Sequence, residues 1–220
     1  MGRTFFTALI AVFLLFSAFS AAYEDSSIAV LVHFNQDGTA KVSEKYAFLL
    51  SDDSEIESFE YYRNLGQNTV VSWRRFSKDL KFHVGADIIP SNASITARRV
   101  LSVGRRSAEL VLDYELNAPI MIESKVGSRK KVFSLKDGVL GFSKTTTGET
   151  ILSPSERLEF YSPIEFKLDA TALRPEPANA EGNKVVWAGP FTAKLAYSFY
   201  SEELLGEEVS RYFTEATAQI

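Results

Sequence analysis

A mainly β, antiparallel, sandwich-like fold is what this sequence predicts, and three observations carry that expectation. Apolar residues alternate with polar ones over most of the chain, turn-forming residues interrupt the alternation at short intervals, and no cysteine is present to staple a loop-rich scaffold. Two short internal helices and a C-terminal amphipathic helix complete the expected plan. Of the 220 residues the first 22 read as a leader. The stretch from 23 to 200 suits one β domain, or two packed β subdomains dividing near 120–135.

The leader comes first. Arg3 supplies a short basic start, Phe5 to Phe16 is almost wholly apolar, and Ser20, Ala21 and Ala22 offer a processing site before Tyr23. Met1–Ala22 is therefore expected to be a signal peptide, placing the mature chain in the secreted or extracytoplasmic cell-envelope compartment. The alternative is an uncleaved N-terminal anchor. Spanning a bilayer takes about 20 apolar residues. Phe5–Ala22 provides 18, interrupted by Thr7, Ser17 and Ser20, so cleavage is the better reading. Membrane contact is then expected only through a partner, or through the segment itself if it is retained.

The first hairpin is expected from Ser27–Phe34, with Ile28, Val30, Val32 and Phe34 on one side, and from Thr39–Leu50, with Ala40, Val42, Tyr46, Phe48 and Leu50. Asn35, Gln36, Asp37 and Gly38 supply the turn between them. Glu44 falls on the apolar face of the second strand. A buried carboxylate needs a partner, so it should pair with an Arg or Lys from the basic middle of the chain, or reach water near an edge.

Two helices follow. Ser51, Asp52 and Asp53 can cap one containing Ile56 and Phe59, and Asn68 or Thr69 another in which Val70, Trp73, Phe76 and Leu80 recur at helical intervals. Trp73 in such a stripe is a core anchor. A second long hairpin is expected from Ala93–Val103 and Ser107–Leu116 around Gly104, forming the centre of the sheet. Shorter strands follow at 120–123, 130–135, 139–142, 149–152, 157–161 and 165–172, with tight turns at Asp137-Gly138 and Thr145–Gly148. Leu173–Asn183 reads as an exposed loop, and strands at Lys184–Ala188 and Thr192–Tyr200 close the β region around Pro190. The last stretch, 201–220, is a helix pattern. Ser201 is the N-cap, and Leu205, Val209, Tyr212, Phe213, Ala216 and Ile220 make one apolar face, for docking on the protein's own sheet or on a partner.

Charge is mild overall, with 24 Lys and Arg against 28 Asp and Glu, which argues against a nucleic-acid binder. Locally it is not even. Between Glu60 and Lys131 thirteen basic residues face seven acids, among them Arg98, Arg99, Arg105, Arg106, Arg129, Lys130 and Lys131. These are candidate contacts to an anionic glycan or an acidic partner, or solvated positions paired with the acidic flanks. Trp187, beside Gly189 and Pro190, either stacks on a sugar ring or plugs one end of the core. Asn92-Ala93-Ser94 is a glycosylation sequon.

Catalytic patterns are absent. His33 and His83 are the only histidines, neither belongs to a ligand pair, and His33 reads as a satisfied structural imidazole in an apolar strand. No GxSxG elbow, phosphate-binding glycine loop or calcium-loop pattern occurs, so no catalytic, metal or cofactor residue is assigned. Paired carboxylates of a hydrolase come together only in space, and Glu44 is the acid to watch.

A resemblance gathers these motifs. The Asp37-Gly38 and Val42-x-Glu44 hairpin, Trp73-x-x-Phe76, Leu112-Asp113-Tyr114-Glu115, Trp187-Ala188-Gly189-Pro190 and Glu207-Glu208-Val209-x-x-Tyr212-Phe213 together resemble uncharacterised exported β-rich proteins of archaeal cell envelopes. The resemblance implies an envelope location and neither a substrate nor catalytic residues. It also implies a membrane anchor after the last helix, and no such segment lies between Phe213 and Ile220. The expected function is thus a structural or protein-interaction module of the envelope, its partner an envelope protein or surface polymer. A carbohydrate-binding module is the first alternative and a secreted hydrolase the second.

Overall fold

The computed structural model describes residues 25–66, 69–74, 76, 77, 79–102 and 105–203. The expected leader and all of the expected terminal helix beyond Glu203 lie outside the described residues.

β1 (Asp25–Phe34) and β2 (Ala40–Leu49) form the expected hairpin. Its turn is held by Asn35 N–H donating to Thr39 O at 2.9 Å and by the Asp37 carboxylate, which accepts from Thr39 N at 3.0 Å. Gly38 takes φ 79°, the left-handed conformation this loop needs. Alternation places Val30, Val32, Val42 and Tyr46 inside, each at most 3% exposed.

α1 (Asp53–Asn64) starts where Asp52 accepts from Glu55 N at 2.9 Å. α2 is a single turn, Val70–Trp73, capped by Thr69. The expected stripe through Phe76 and Leu80 is buried as predicted, yet the backbone leaves the helix after Trp73. One turn places Trp73 and Phe76 against Phe59, with ring centroids 5.3 to 5.9 Å apart, so packing and not helix length delivers these residues to the core.

β3 (Ser91–Ser102) and β4 (Arg105–Leu116) make the second hairpin, followed by β5 (Met121–Val126), β6 (Lys130–Leu135), β7 (Ser143–Lys144), β8 (Thr150–Leu152) and β9 (Glu156–Tyr161). β10 (Lys167–Leu168), a 3-10 turn at Ala170–Ala172, β11 (Asn179–Glu181), β12 (Lys184–Ala188), β13 (Phe191–Ala193) and β14 (Ser198–Glu202) complete the chain. Where a strand was expected at 139–142, Leu140 makes only an isolated bridge to Val84. The expected loop 173–183 contains β11, and Leu173 is buried. Ser201, expected as a helix cap, is instead the strand residue of β14 opposite Lys131.

Three sheets result. A seven-stranded sheet runs β11-β12-β9-β1-β2-β4-β3, a four-stranded one β10-β14-β6-β5, and a three-stranded one β13-β8-β7. Two expectations are corrected. The β3–β4 hairpin occupies an edge and not the centre, which falls to β1. The large sheet is also mixed, because β9 joins β1 in parallel from Ile28↔Glu156 to His33↔Tyr161. A parallel partner needs a long crossover, and the whole run from β2 to β8 serves as one. Strands on both sides of residues 120–135 therefore share one sheet.

The inner face of the large sheet shares one apolar core with Phe59 of α1, Trp73 of α2 and Leu80. It also packs on a ring cluster shared with the four-stranded sheet: Phe34, Phe160, Tyr197 and Phe199, with neighbouring centroids 4.8 to 5.9 Å apart. Trp187 joins this cluster against Phe160 at 5.3 Å, and its indole N–H donates to Pro175 O at 2.9 Å.

Candidate interaction surface

Glu44 is the first group to place, since a strand alternation that buries it must also supply its partners. It is fully buried, and its two oxygens take four donors. Oε1 accepts from His83 N–H at 2.7 Å and from the Tyr114 hydroxyl, while Oε2 lies 2.7 Å from both Tyr46 Oη and His83 Nδ1. The expected Arg or Lys partner is replaced by an imidazole, a backbone amide and two phenols. Burial, then the Glu44 charge, pushes the Tyr114 hydroxyl far above its ordinary value, so it stays a donor. The cluster has no route to solvent at His83, which is 2% exposed, and no second carboxylate touches Glu44 among the described residues. The group holds strands β2 and β4 to the segment around His83.

His33 proves to be the reverse of what its apolar neighbours suggested. It points outward, away from the core, and stacks on Tyr161 with centroids 4.3 Å apart and planes 9° from parallel. Burial under this stack lowers its pKa, opposed by the Glu159 charge. Beside it Glu159 gathers Lys184 Nζ at 2.8 Å, Tyr161 Oη at 2.6 Å and Arg157 Nε at 2.5 Å. Burial alone would raise the Glu159 pKa, but these three donors and the Arg157 charge hold it down at about 2. Across β1, β2 and β4 the row continues as His33, Lys41 and Glu115 and borders a shallow cleft of about 400 Å³. Asn92 stands at its rim with φ 52° where β3 bulges, exposed, its side-chain amide donating to Glu115 at 2.6 Å. The sequon is thus on the surface.

The basic residues do not gather into one patch. Arg98 meets Glu109 at 2.8 Å, Arg106 meets Asp53 at 2.6 Å, and Arg99 lies 3.9 Å from Glu60, all on the large sheet. Arg105 stands in β4 opposite Ser102. On the four-stranded sheet Arg129 donates twice to Glu203 O, Lys130 sits 4.0 Å over the Tyr200 ring, and Lys131 is 3.7 Å from Glu123. Two sheets and six local partners divide the charge that sequence proximity had seemed to concentrate. Trp187 and Trp73, each 1% exposed, present no ring to a sugar, so Trp187 is withdrawn as a glycan contact.

Six strands end the three sheets among the described residues, and the two longest of them, β3 and β5, differ. β3 is long, but Arg98 and Arg99 lie along it and it is bent by its bulge, devices that discourage a foreign strand. β5 pairs with β6 without a register shift, and its free side is open. Ile122 and Val126 lie on one face of β5 and are 53% and 58% exposed, with Val132 of β6 and Tyr200 of β14 beside them across the sheet. Glu123 and Lys125 occupy the other face. This edge was not recognised from sequence, where 120–123 reads as one more short strand; the signal available was the Ile122-x-x-x-Val126 pair flanked by charges. The expected interaction helix with Leu205, Val209, Tyr212 and Phe213 lies outside the described residues.

Among the described residues no group of His, Asp and Glu is arranged to hold a metal, and no helix is long and apolar enough to cross a membrane. No family model matches the chain, and no curated protein matches it. Among solved structures, the NMR structure of the LppM folded domain of Mycobacterium tuberculosis is similar over 85% of this chain and 95% of that one, at 9% identity and a TM-score of 0.30. A likeness that loose does not bear on what this chain does.

Proposed function

We propose that this chain is an exported interaction module of the cell envelope, without catalytic activity, whose partner adds a strand to β5. The observation that carries this is the β5 edge: a register-true strand with an open hydrogen-bonding side and two exposed aliphatic side chains on one face. Main-chain pairing supplies affinity in such a contact, and alternate side-chain pockets supply selectivity. Export rests on the Met1–Ala22 pattern, and an envelope partner follows from that address.

A photo-crosslinker at Val126 tests the reading in intact envelopes. A discrete adduct is expected, lost when Ile122→Lys is added and absent when the crosslinker replaces Val71, which is 75% exposed on α2. Equal adducts from both positions, or an adduct indifferent to Ile122→Lys, would overturn the β5 assignment. N-terminal sequencing of the mature protein should begin near Tyr23; an intact Met1 on cytosolic protein refutes export.

A further inference from the structure

A second concave site lies between the end of β6 in the four-stranded sheet and strands β7 and β8 of the three-stranded one. Its floor is apolar: Leu135 at the end of β6, Val139 and Leu140 in the following loop, and Leu195 between β13 and β14. Its rim is cationic: Lys136, Lys144 and Lys194 reach it from three different segments, against the single acid Asp137. The cavity holds about 280 Å³. In a chain of formal charge −4, three ammonium groups around one hollow with an apolar floor are a local reversal of sign.

The rim is built by the two tight turns. Gly138 at φ 81° and Gly148 at φ 83° let Asp137-Gly138 and Thr145–Gly148 fold back beside the cavity, and a side chain on Gly138 would run toward the Lys144 ammonium. The three lysines are differently committed. Lys136 donates to Pro119 O, and Lys194 lies 3.4 Å from Asp137 in a solvent-exposed pair of little strength. Lys144 has no acidic partner among the described residues. Thr147 on the rim and Thr150 below it add hydroxyls.

An apolar floor under convergent ammonium groups matches a ligand with two ends. We propose that this pocket binds a small amphiphilic oxyanion, a carboxylate or phosphate carrying a short apolar body, with Lys144 as its principal charge contact. The head group displaces Asp137 from Lys194, and the body lies over Leu140 and Leu195. Attraction of this kind weakens as salt rises.

The test titrates the full chain at low ionic strength with hexyl phosphate, hexanoate, hexanol and inorganic phosphate, following backbone amide shifts of Gly138 and Gly148. Saturable shifts are expected with hexyl phosphate or hexanoate, the pair distinguishing a phosphate from a carboxylate head. Lys144→Gln should weaken binding about fivefold, the scale of one exposed charge, and Asp137→Asn should tighten it. Both positions are exposed, so an unchanged melting temperature shows that the fold is intact. Four results would each overturn the proposal: no saturable shift, hexanol binding as tightly as the anions, inorganic phosphate binding as tightly as hexyl phosphate, or affinity indifferent to Lys144→Gln. None of them touches the β5 reading.

Discussion

At the scale of the residue, the decisive group is Glu44, because a carboxylate in the core must be answered on every lone pair it exposes. Glu44→Ala leaves the Tyr114 hydroxyl and the imidazole and backbone N–H of His83 buried without their acceptor, and should destabilise the protein by about 3–5 kcal/mol in urea unfolding. Tyr114→Phe removes one donor and should cost about 1–2 kcal/mol. A loss under that in the alanine variant would mean that the cluster reaches water. Glu159 gives a second prediction, in pH. Its ordinary value of 4.5 falls to about 2 in the fold, so its contribution is present above 4.5 and drains away as pH drops toward 2. Its partners stand partly in water, which limits the effect to about 1–2 kcal/mol. Glu159→Gln should show that deficit at neutral pH, and the gap to the natural protein should close between those two values.

At the scale of the element, corners are as constrained as strands. Gly189 follows β12 where the chain turns toward β13, and a Cβ there would meet the carbonyl of Ser153 beside β8. Since the obstacle is backbone and not a movable side chain, Gly189→Ala should lower stability by about 1–3 kcal/mol, read as a shift of the urea midpoint at unchanged slope. Local signals were legible at this scale. Both hairpins, both caps and the turns at Gly38, Gly138 and Gly148 followed from residues within a few positions of one another. The single-turn α2 did not, because the 3.6-residue stripe from Val70 to Leu80 is equally served by an irregular chain pressed onto Phe59. Nor did the cap at Ser201, where β6 offered a strand partner that outweighed a local helix preference.

At the scale of the whole molecule, β1 is held on both sides, by β2 and by β9, and its inner residues are sealed by the core. Native-state hydrogen exchange should therefore be slowest in the middle of β1 and β2 and fastest in β5 and β11, whose outer sides are free among the described residues. Protection in β5 equal to that in β2 would mean that its edge is already covered, which would remove the basis for strand addition.

Composition and alternation by themselves determined a mainly β chain without disulfides, the order of its hairpins, and the burial of both tryptophans as the preferred reading. They could not determine which strand neighbours which, because alternation says only which face of a strand is apolar and is blind to what lies alongside it. Tertiary structure decided the parallel β1–β9 pair, the edge position of β3 and β5, and the outward turn of His33 onto Tyr161. It also chose His83, 39 residues away, as the partner of Glu44. Each of these depends on contacts between residues far apart in the chain, where desolvation and hydrogen-bond satisfaction are settled by three-dimensional neighbours and leave no periodic trace in the sequence.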